Sequence, residues 1–467
     1  MILGFSEGFH DAAIALIDGP DIIHASHSER SSGVKHDKNI SESQKDYVSS
    51  LGKLDAISFY EKPLLKKTRQ LYAGQYNTVF SKRQLSFKPT EYHSHHLSHA
   101  AAAFQTSPFY ESSVVVVDSI GEWDTISLWY AYYDNDLVAK YKKINSIKYP
   151  RSVGLWYSAL TKYVELAPLD EEYIFMGMAA YGKPIPELQD KLIKLYESNN
   201  LHRGLPRREL YEYEYVDIAH NAQIVLEKML CAIFNVALNH SDNICYGGGV
   251  ALNCVANANL YKQANLWIMP NPGDAGAALG AAALAYGKRL NWVSPYLGYN
   301  IQNAVDVNSV VEYLLQHKMC GIANGRAEFG PRALGNRSLI ADPRDINIKD
   351  EMNKVKQRQM FRPFAPAILE EHANKYFTGI TTKYMQATAK CIYPEKFPGI
   401  VHVDGSSRVQ VVSKDDPTIL RKILECWHEK TGCPMLLNTS LNIKGKPMVD
   451  TVEDAIAFQS KYGIMVF

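Results

Sequence analysis

In the segment EYHSHHLSHAAAAF, His95 and His99 stand four residues apart at the head of an alanine-rich stretch. If that stretch is helical, both imidazoles leave one face and aim at a shared point. Paired imidazoles of this kind are metal ligands that need further groups from elsewhere. Asp118, directly after the apolar run Val114 to Val117, is the best-placed carboxylate, and Asp274 in NPGDAG is a candidate fourth ligand. The mixed nitrogen and oxygen set suits iron, zinc or manganese better than calcium or copper(I). The competing reading makes these histidines capping or surface residues. Four histidines between positions 93 and 99 weigh against it.

A second group of residues could approach a nucleotide. ICYGGGVALNCVANANL reads as a strand, a turn at Gly247, Gly248 and Gly249, and a helix start with Asn253. Glycines there leave backbone amides open to a phosphate or ribose. No Lys-Ser/Thr pair follows, so this is not a Walker A loop. With Gly177 in MGMAAYGKP and the glycines of NPGDAGAALG, three such loops predict an ATP cleft. The same residues also serve as tight packing turns.

A third group is cationic. Between Arg326 and Arg362 there are nine Lys/Arg against five Asp/Glu, on segments stiffened by Pro331 and Pro343. Guanidinium forks bind phosphate oxygens bidentately. Arg332, Arg337, Arg344, Lys356 and Arg362 are candidates, with Asn438, Ser440 and Asn442 as neutral partners. The alternative is a solvated basic face paired to Glu328, Asp342 and Asp345.

The elements that must hold these groups are those of an α/β protein. Strands are expected at Ile2–Gly4, Ala12–Ile17 and from Ile22, with a turn at Asp18-Gly19-Pro20. Val114 to Val117 reads as a buried central strand delivering Asp118 at its carboxyl end, where open α/β sheets bind ligands. Helices are expected over Gln223–Asn239 and Ala275–Tyr286, and a linker with Pro295 and Gly298 separates a first domain, 1–295, from a second, 301–467. Hydrophobic residues make up 46% and charged residues 21% of 467, enough for two packed cores. Net charge is +1, which argues against a polycation that binds nucleic acid as a whole. The N-terminus lacks the pattern of a signal peptide, and no apolar run of membrane-spanning length is evident, so a cytoplasmic protein with no membrane partner is expected. Seven scattered cysteines without a C-x-x-C pair read as free thiols.

Together these motifs resemble the O-carbamoyltransferase family of nodulation-factor and antibiotic pathways, the NodU/CmcH type. The likeness covers GFHDAAIALIDG, ERSSGVKHDKN, HHLSHAAAAF, MGMAAYG, YGGGVALNCVAN and NPGDAGAALGAA. It continues in GRAEFGPRALGNRSLIADPRD, FRPFAPAILEE, HVDGSSRVQVV and LLNTSLNIKGKPMVDTVEDAIAF. The resemblance implies an actin-like, sugar-kinase-like ATPase superfold for the first domain and a YrdC-like α/β second domain. It implies carbamoyl phosphate, ATP with Mg2+, a carbamoyl-adenylate intermediate, and a divalent metal, Fe2+ favoured over Mn2+ or Zn2+, on His95, His99, Asp118 and Asp274. His10, beside Asp11, matches the family's base, and Lys35 falls in a matching nucleotide-site motif. A homodimer is a further expected assembly, and a kinase or ATP-gated binding protein is the reading from another class.

The acceptor hydroxyl is a separate question. From Lys62 to Pro89 the chain carries Lys62, Lys66, Lys67, Arg69, Lys82, Arg83 and Lys88, no acid, and Tyr72, Tyr76, Phe80 and Phe87. Cations interleaved with rings fit a nucleic-acid strand, which points to a 5-hydroxymethyl pyrimidine in DNA. A sugar, nucleotide or antibiotic-like small molecule is the competing acceptor, and an amphipathic surface segment the competing reading of the residues.

Overall fold

The computed structural model describes residues 1–80, 84–198 and 201–467. The chain divides into two compact units, Met1–Ser28 with His36–Val293, and Glu29–Lys35 with Ser294–Phe467. The short segment around Lys35, expected in the first domain, therefore belongs with the second unit.

Unit 1 holds two five-stranded sheets. The first comprises β1 (Ile2–Ser6), β2 (Ala13–Asp18), β3 (Asp21–His27), β4 (Ala56–Phe59) and β5 (Glu91–Tyr92), in the order β3-β2-β1-β4-β5. The second comprises β6 (Glu111–Val117), β7 (Asp124–Tyr133), β8 (Ala139–Lys148), β9 (Asn243–Gly247) and β10 (Asn265–Ile268), in the order β10-β9-β6-β7-β8. In each sheet a three-strand antiparallel meander is extended by two parallel strands. The topology is repeated although no repeat is visible in the sequence.

Two alanine-rich helices, His95–Gln105 and Asp274–Tyr286, pack on each other. The Asp274–Tyr286 helix also covers β1 and β2, and the His95–Gln105 helix covers β6 and β9. Small side chains let the backbones approach closely. A Cβ on Gly280 would lie 1.8 Å from the Ser98 carbonyl oxygen, so only glycine fits there. The strand residues Val114 to Val117 are fully buried because β6 is central and covered on both faces.

The Tyr215–Leu238 helix, longer than the expected Gln223–Asn239, is long and apolar enough to cross a membrane by length and composition. This corrects the expectation that no stretch has that length. Its Ile218, Ala222, Val225, Leu230 and Phe234 are buried in the core of unit 1 with Val115 and Ile244.

In unit 2, β11 (Tyr296–Ile301) pairs antiparallel with β13 (Gly325–Glu328). The expected linker at Pro295 to Gly298 thus runs into a strand. Its order comes from a partner strand distant in sequence, Tyr296 facing Glu328 and Ile301 facing Gly325, rather than from a local pattern. The main sheet runs β12-β14-β17-β15-β16, from β12 (Met319–Ala323), β14 (Arg337–Ala341), β15 (Ala365–Leu369), β16 (Gln410–Val412) and β17 (Met435–Ser440). The Val307–His317 and Ile419–Thr431 helices pack together, and their Val310, Val311, Leu314, Leu420, Ile423 and Leu424 join the core of this sheet. All seven cysteines are free.

Gly280→Ala is expected to lower unfolding free energy by about 3 kcal/mol, since the clash is with backbone rather than with a flexible side chain. Urea denaturation with an unchanged midpoint would contradict this account of the helix pair.

Candidate metal centre

The two alanine-rich helices begin at the same place. His95 and His99 lie on the first turns of one, Asp274 is the first residue of the other, and Asp118 follows the last residue of β6. All four side chains are buried and converge. His95 Nε2 lies 2.9 Å from Asp118 Oδ2 and 3.4 Å from Asp274 Oδ1. His99 Nε2 lies 3.1 Å from His95 Nε2, 3.3 Å from Asp274 Oδ1 and 3.7 Å from Asp118 Oδ2. Ligand atoms about 2.1 Å from a common ion sit about 3.0 to 3.4 Å from each other, so the set fits a transition-metal ion. Two imidazole nitrogens facing each other at 3.1 Å also gain from a shared cation between them. The four residues assembled are those selected by spacing.

The electrostatics agree with a cation site. Burial opposes charge on His95, yet the Asp274 and Asp118 carboxylates hold its imidazole well above the ordinary pKa. Burial likewise opposes ionisation of Asp118, and the hydrogen bond from His95 overrides it, holding the carboxyl below its usual range. Asp274 is held well below that range by the charge of His95 and hydrogen bonds from His95 and His99, again against burial.

His10 stands beside the cluster in the β1–β2 loop, its Nε2 4.0 Å from Asp274 Oδ2. Its Nδ1 lies 2.8 Å from Asp11 Oδ2, which leaves Nε2 facing the cluster. Burial lowers the His10 pKa, but the Asp11 hydrogen bond and the Asp274 charge carry it above the ordinary value. Asp11 also takes His36 Nδ1 at 2.7 Å, and His36 Nε2 reaches Asp170 at 2.8 Å. Asp11 adopts φ 52°, a left-handed conformation that aspartate tolerates and that often marks functional loops.

Sequence reading missed His36, Asp170 and Glu122. Glu122, in the turn between β6 and β7, accepts the His95 backbone N–H at 2.9 and 3.1 Å and so caps that helix in place of Ser94. No local spacing signals these three, because each acts through a partner distant in sequence.

Several residues expected at the nucleotide also have partners within the fold. A Cβ at Gly248 would lie 2.2 Å from the Val117 carbonyl oxygen, and its φ of 89° favours glycine. The triple glycine therefore seats the loop against β6, and Gly249 N–H donates to Asp118 Oδ1 at 3.2 Å. Gly247 lies against the His99 carbonyl in the same packing. Asn253 caps the Cys254–Leu260 helix and bonds Gln223. Gly177 and Gly273 face open space where a Cβ would point.

In unit 2, Arg337 is fully buried and spends its guanidinium on the carbonyls of Asp450, Asn324, Gly325, Asn336 and Tyr299. It fastens loops rather than presenting a fork to phosphate. Arg344 is paired with Asp342 at 2.7 and 2.8 Å and lies over Trp427, as the solvated-face alternative has it. Lys35 Nζ lies 3.6 Å from Glu29. Arg332 and Arg362 are half-buried on loops. Lys356, Ser440 and Asn442 do come together, the ammonium donating to Ser440 Oγ at 3.1 Å and Asn442 Oδ1 at 2.9 Å. Burial, with the charges of Arg358 and Arg362, pulls the Lys356 pKa well below its ordinary value. Asn438 is buried on β17, its amide N–H donating to Ala333 and Gln410.

Metal binding requires the neutral imidazole. Because His95 holds its proton above the ordinary histidine range, affinity for Fe2+, Mn2+ or Zn2+ is expected to rise with pH through that raised value, with proton release. Asp274→Asn is expected to cost at least about tenfold in affinity, in line with losing one member of a metal site. Calorimetry in buffers of different ionisation heat checks both, and pH-independent binding without proton release would contradict the first.

Residues 60–207 and 191–283 match the family described as Carbamoyltransferase N-terminus, and residues 311–467 match Carbamoyltransferase C-terminus. The chain is 32% identical to the uncharacterized protein sll1178 of Synechocystis sp., over 97% of this chain and 93% of that one. It is also 32% identical to nodulation protein NolO of Bradyrhizobium diazoefficiens, over 78% and 75% respectively. A crystal structure of HypF from T. kodakarensis superposes over 61% of this chain and 47% of its own, with a TM-score of 0.35 and 13% identity. By its matched N- and C-terminal parts and its relatives over most of their length, this chain belongs to the carbamoyltransferase family and is a carbamoyltransferase.

Proposed function

We propose that this enzyme moves the carbamoyl group of carbamoyl phosphate to an acceptor hydroxyl, through a carbamoyl-adenylate made at the expense of ATP. The observation that carries the reading is the buried set of two imidazoles and two carboxylates beside His10, within a carbamoyltransferase. The repeated strand order of unit 1 supports the actin-like assignment, and the Lys356, Ser440 and Asn442 group in unit 2 supports phosphate binding by a YrdC-like domain.

In the first step water cleaves the bond between the carbamoyl and phosphate groups of carbamoyl phosphate, giving carbamate, inorganic phosphate and a proton, and a carbamate oxygen then attacks the α-phosphorus of ATP, expelling pyrophosphate. In this reading Lys356, with Arg358 and Arg362 near enough to act on its charge, would offset the charge that accumulates there. In the second, the acceptor oxygen attacks the carbamoyl carbon, its proton passes to His10 Nε2, and AMP leaves. A divalent ion on His95, His99, Asp118 and Asp274 would supply a Lewis-acidic anchor for a phosphoryl or carbamoyl oxygen. Asp11 keeps Nδ1 of His10 engaged, so that Nε2 is the basic nitrogen.

For the acceptor we infer a 5-hydroxymethyl pyrimidine, free or in DNA, ahead of other small-molecule alcohols. The supporting residues are fewer than the sequence suggested. Lys66 is paired with Glu61, whereas Lys62, Lys67, Lys88, Tyr72 and Tyr76 remain exposed. Lys82 and Arg83 lie outside the described residues.

Pyrophosphate release is expected only when ATP and carbamoyl phosphate are both present; ADP release would mark a kinase instead. His10→Ala is expected to slow transfer by about 100-fold or more while that pyrophosphate release continues. Transfer at the wild-type rate would remove His10 from the role of base. Mass spectrometry of duplex DNA with and without 5-hydroxymethyl pyrimidines tests the acceptor, and DNA that gains no carbamoyl mass rules out the polymer.

A further inference from the structure

The helix Pro63–Tyr72 turns Lys66, Arg69 and Gln70 inward and leaves Lys62, Lys67 and Tyr72 exposed. Its inner face borders the elements that carry the metal cluster. Lys66 Nζ lies 5.7 Å from the Phe9 ring, and Phe9 stands 4.6 Å from the His10 ring. Glu122, which caps the His95 helix, also accepts the Lys62 backbone N–H at 2.8 Å.

The charges on this face do not all find partners. Glu61 is buried and bonded to Lys66 Nζ at 2.7 and 2.9 Å. Glu122 is engaged by two backbone amides. Arg69 is only 5% exposed, and its Nε is buried without a hydrogen bond. Among the described residues no carboxylate lies within ion-pair distance of its guanidinium, which sits over the Tyr149 ring at 6.0 Å. A guanidinium with a buried, unmatched Nε donor and no ion pair is destabilising unless a partner arrives. It is the kind of group a protein keeps for an anion.

What lies beside it indicates the anion's carrier. Tyr72, one turn along from Arg69, is 67% exposed. Its ring lies 5.6 Å from Trp123 and 6.2 Å from Tyr149. Trp123 is fixed by its Nε1–H donating to Thr68 Oγ1 at 3.2 Å. A guanidinium next to an exposed tyrosine and a half-buried tryptophan, with Lys62 at the start of the helix, Lys67 on it and no acid in it, matches a phosphate joined to a planar base.

We propose that Arg69 binds a phosphate of the acceptor and that Tyr72 and Trp123 stack on its base, so the acceptor of this carbamoyltransferase is a nucleotide unit. This rests on the carbamoyl-transfer reading above and identifies its substrate class. The phosphate could come from a free nucleotide or from a polynucleotide.

The test measures binding without ATP or carbamoyl phosphate, so that it stands apart from the reaction. Quenching of tryptophan fluorescence is recorded for 5-hydroxymethyl-2′-deoxycytidine, its 5′-monophosphate, and a single-stranded oligonucleotide containing it. The monophosphate is expected to bind wild-type protein at least about tenfold tighter than the nucleoside, the gain of a charge-assisted hydrogen bond. Arg69→Met is expected to abolish that difference while keeping or raising Tm, because it removes a buried unpaired charge. Equal affinities in the wild type, a preference that survives in Arg69→Met, or a lowered Tm that marks Arg69 as structural would each overturn the proposal. An oligonucleotide that binds tighter than the monophosphate identifies the polymer as the source, and the reverse order the free nucleotide. Failure of the carbamoyl-transfer reading shows separately, as wild-type protein that releases no pyrophosphate with ATP and carbamoyl phosphate.

Discussion

The metal centre depends on the close approach of two helix backbones. His95–Gln105 and Asp274–Tyr286 can start side by side only because alanines line both and because position 280 lacks a Cβ against the Ser98 carbonyl. Farther along, Gln105 secures the same pair by donating to the Ala283 and Lys288 carbonyls. A wider gap would move Asp274 away from His95 and His99, and ligand atoms tolerate displacements of only a few tenths of an ångström. The packing core and the chemistry are therefore one constraint.

That geometry carries an electrostatic cost. Two helix N-termini point their positive ends toward one spot, which disfavours a cation there. Asp118 and Asp274 offset this within the cluster, and Glu122 does so from behind by taking the His95 amide. The three carboxylates have separate tasks, two facing the ion site and one facing the helix end. Glu122 thus contributes to the cation site without belonging to it.

How much could be read from the sequence follows from the same distinction. His95 and His99 were legible because a helix converts a spacing of four into proximity, and Asp118 because an apolar strand must deliver its next residue to the sheet edge. Strands β1 to β3 were legible from alternation and turn residues. Glu122, His36 and Asp170 were not, since their partners His95 and Asp11 are fixed by tertiary folding alone. The triple glycine was legible as a place where backbone must come close to something, with a nucleotide and a packing turn as the two readings. It seats a loop on β6, and a requirement for glycine looks the same in sequence whether a ligand or another strand stands opposite.

The cations make the point most sharply, because a count of lysines and arginines is not a count of phosphate sites. What separates them is the number of donors left once the fold has taken its share. Arg337 has given its fork to carbonyls and Arg344 to Asp342, so neither has a face to offer. Lys356 has likewise given its donors to oxygens of Ser440 and Asn442, and burial with two neighbouring arginines weakens its hold on the proton, so an anion nearby would act on it by charge alone. Arg69 is the extreme case, buried by a helix whose other inward cation already has its carboxylate. Composition finds where positive charge is concentrated, and only the accounting of hydrogen bonds finds which charges the folded chain has left unanswered.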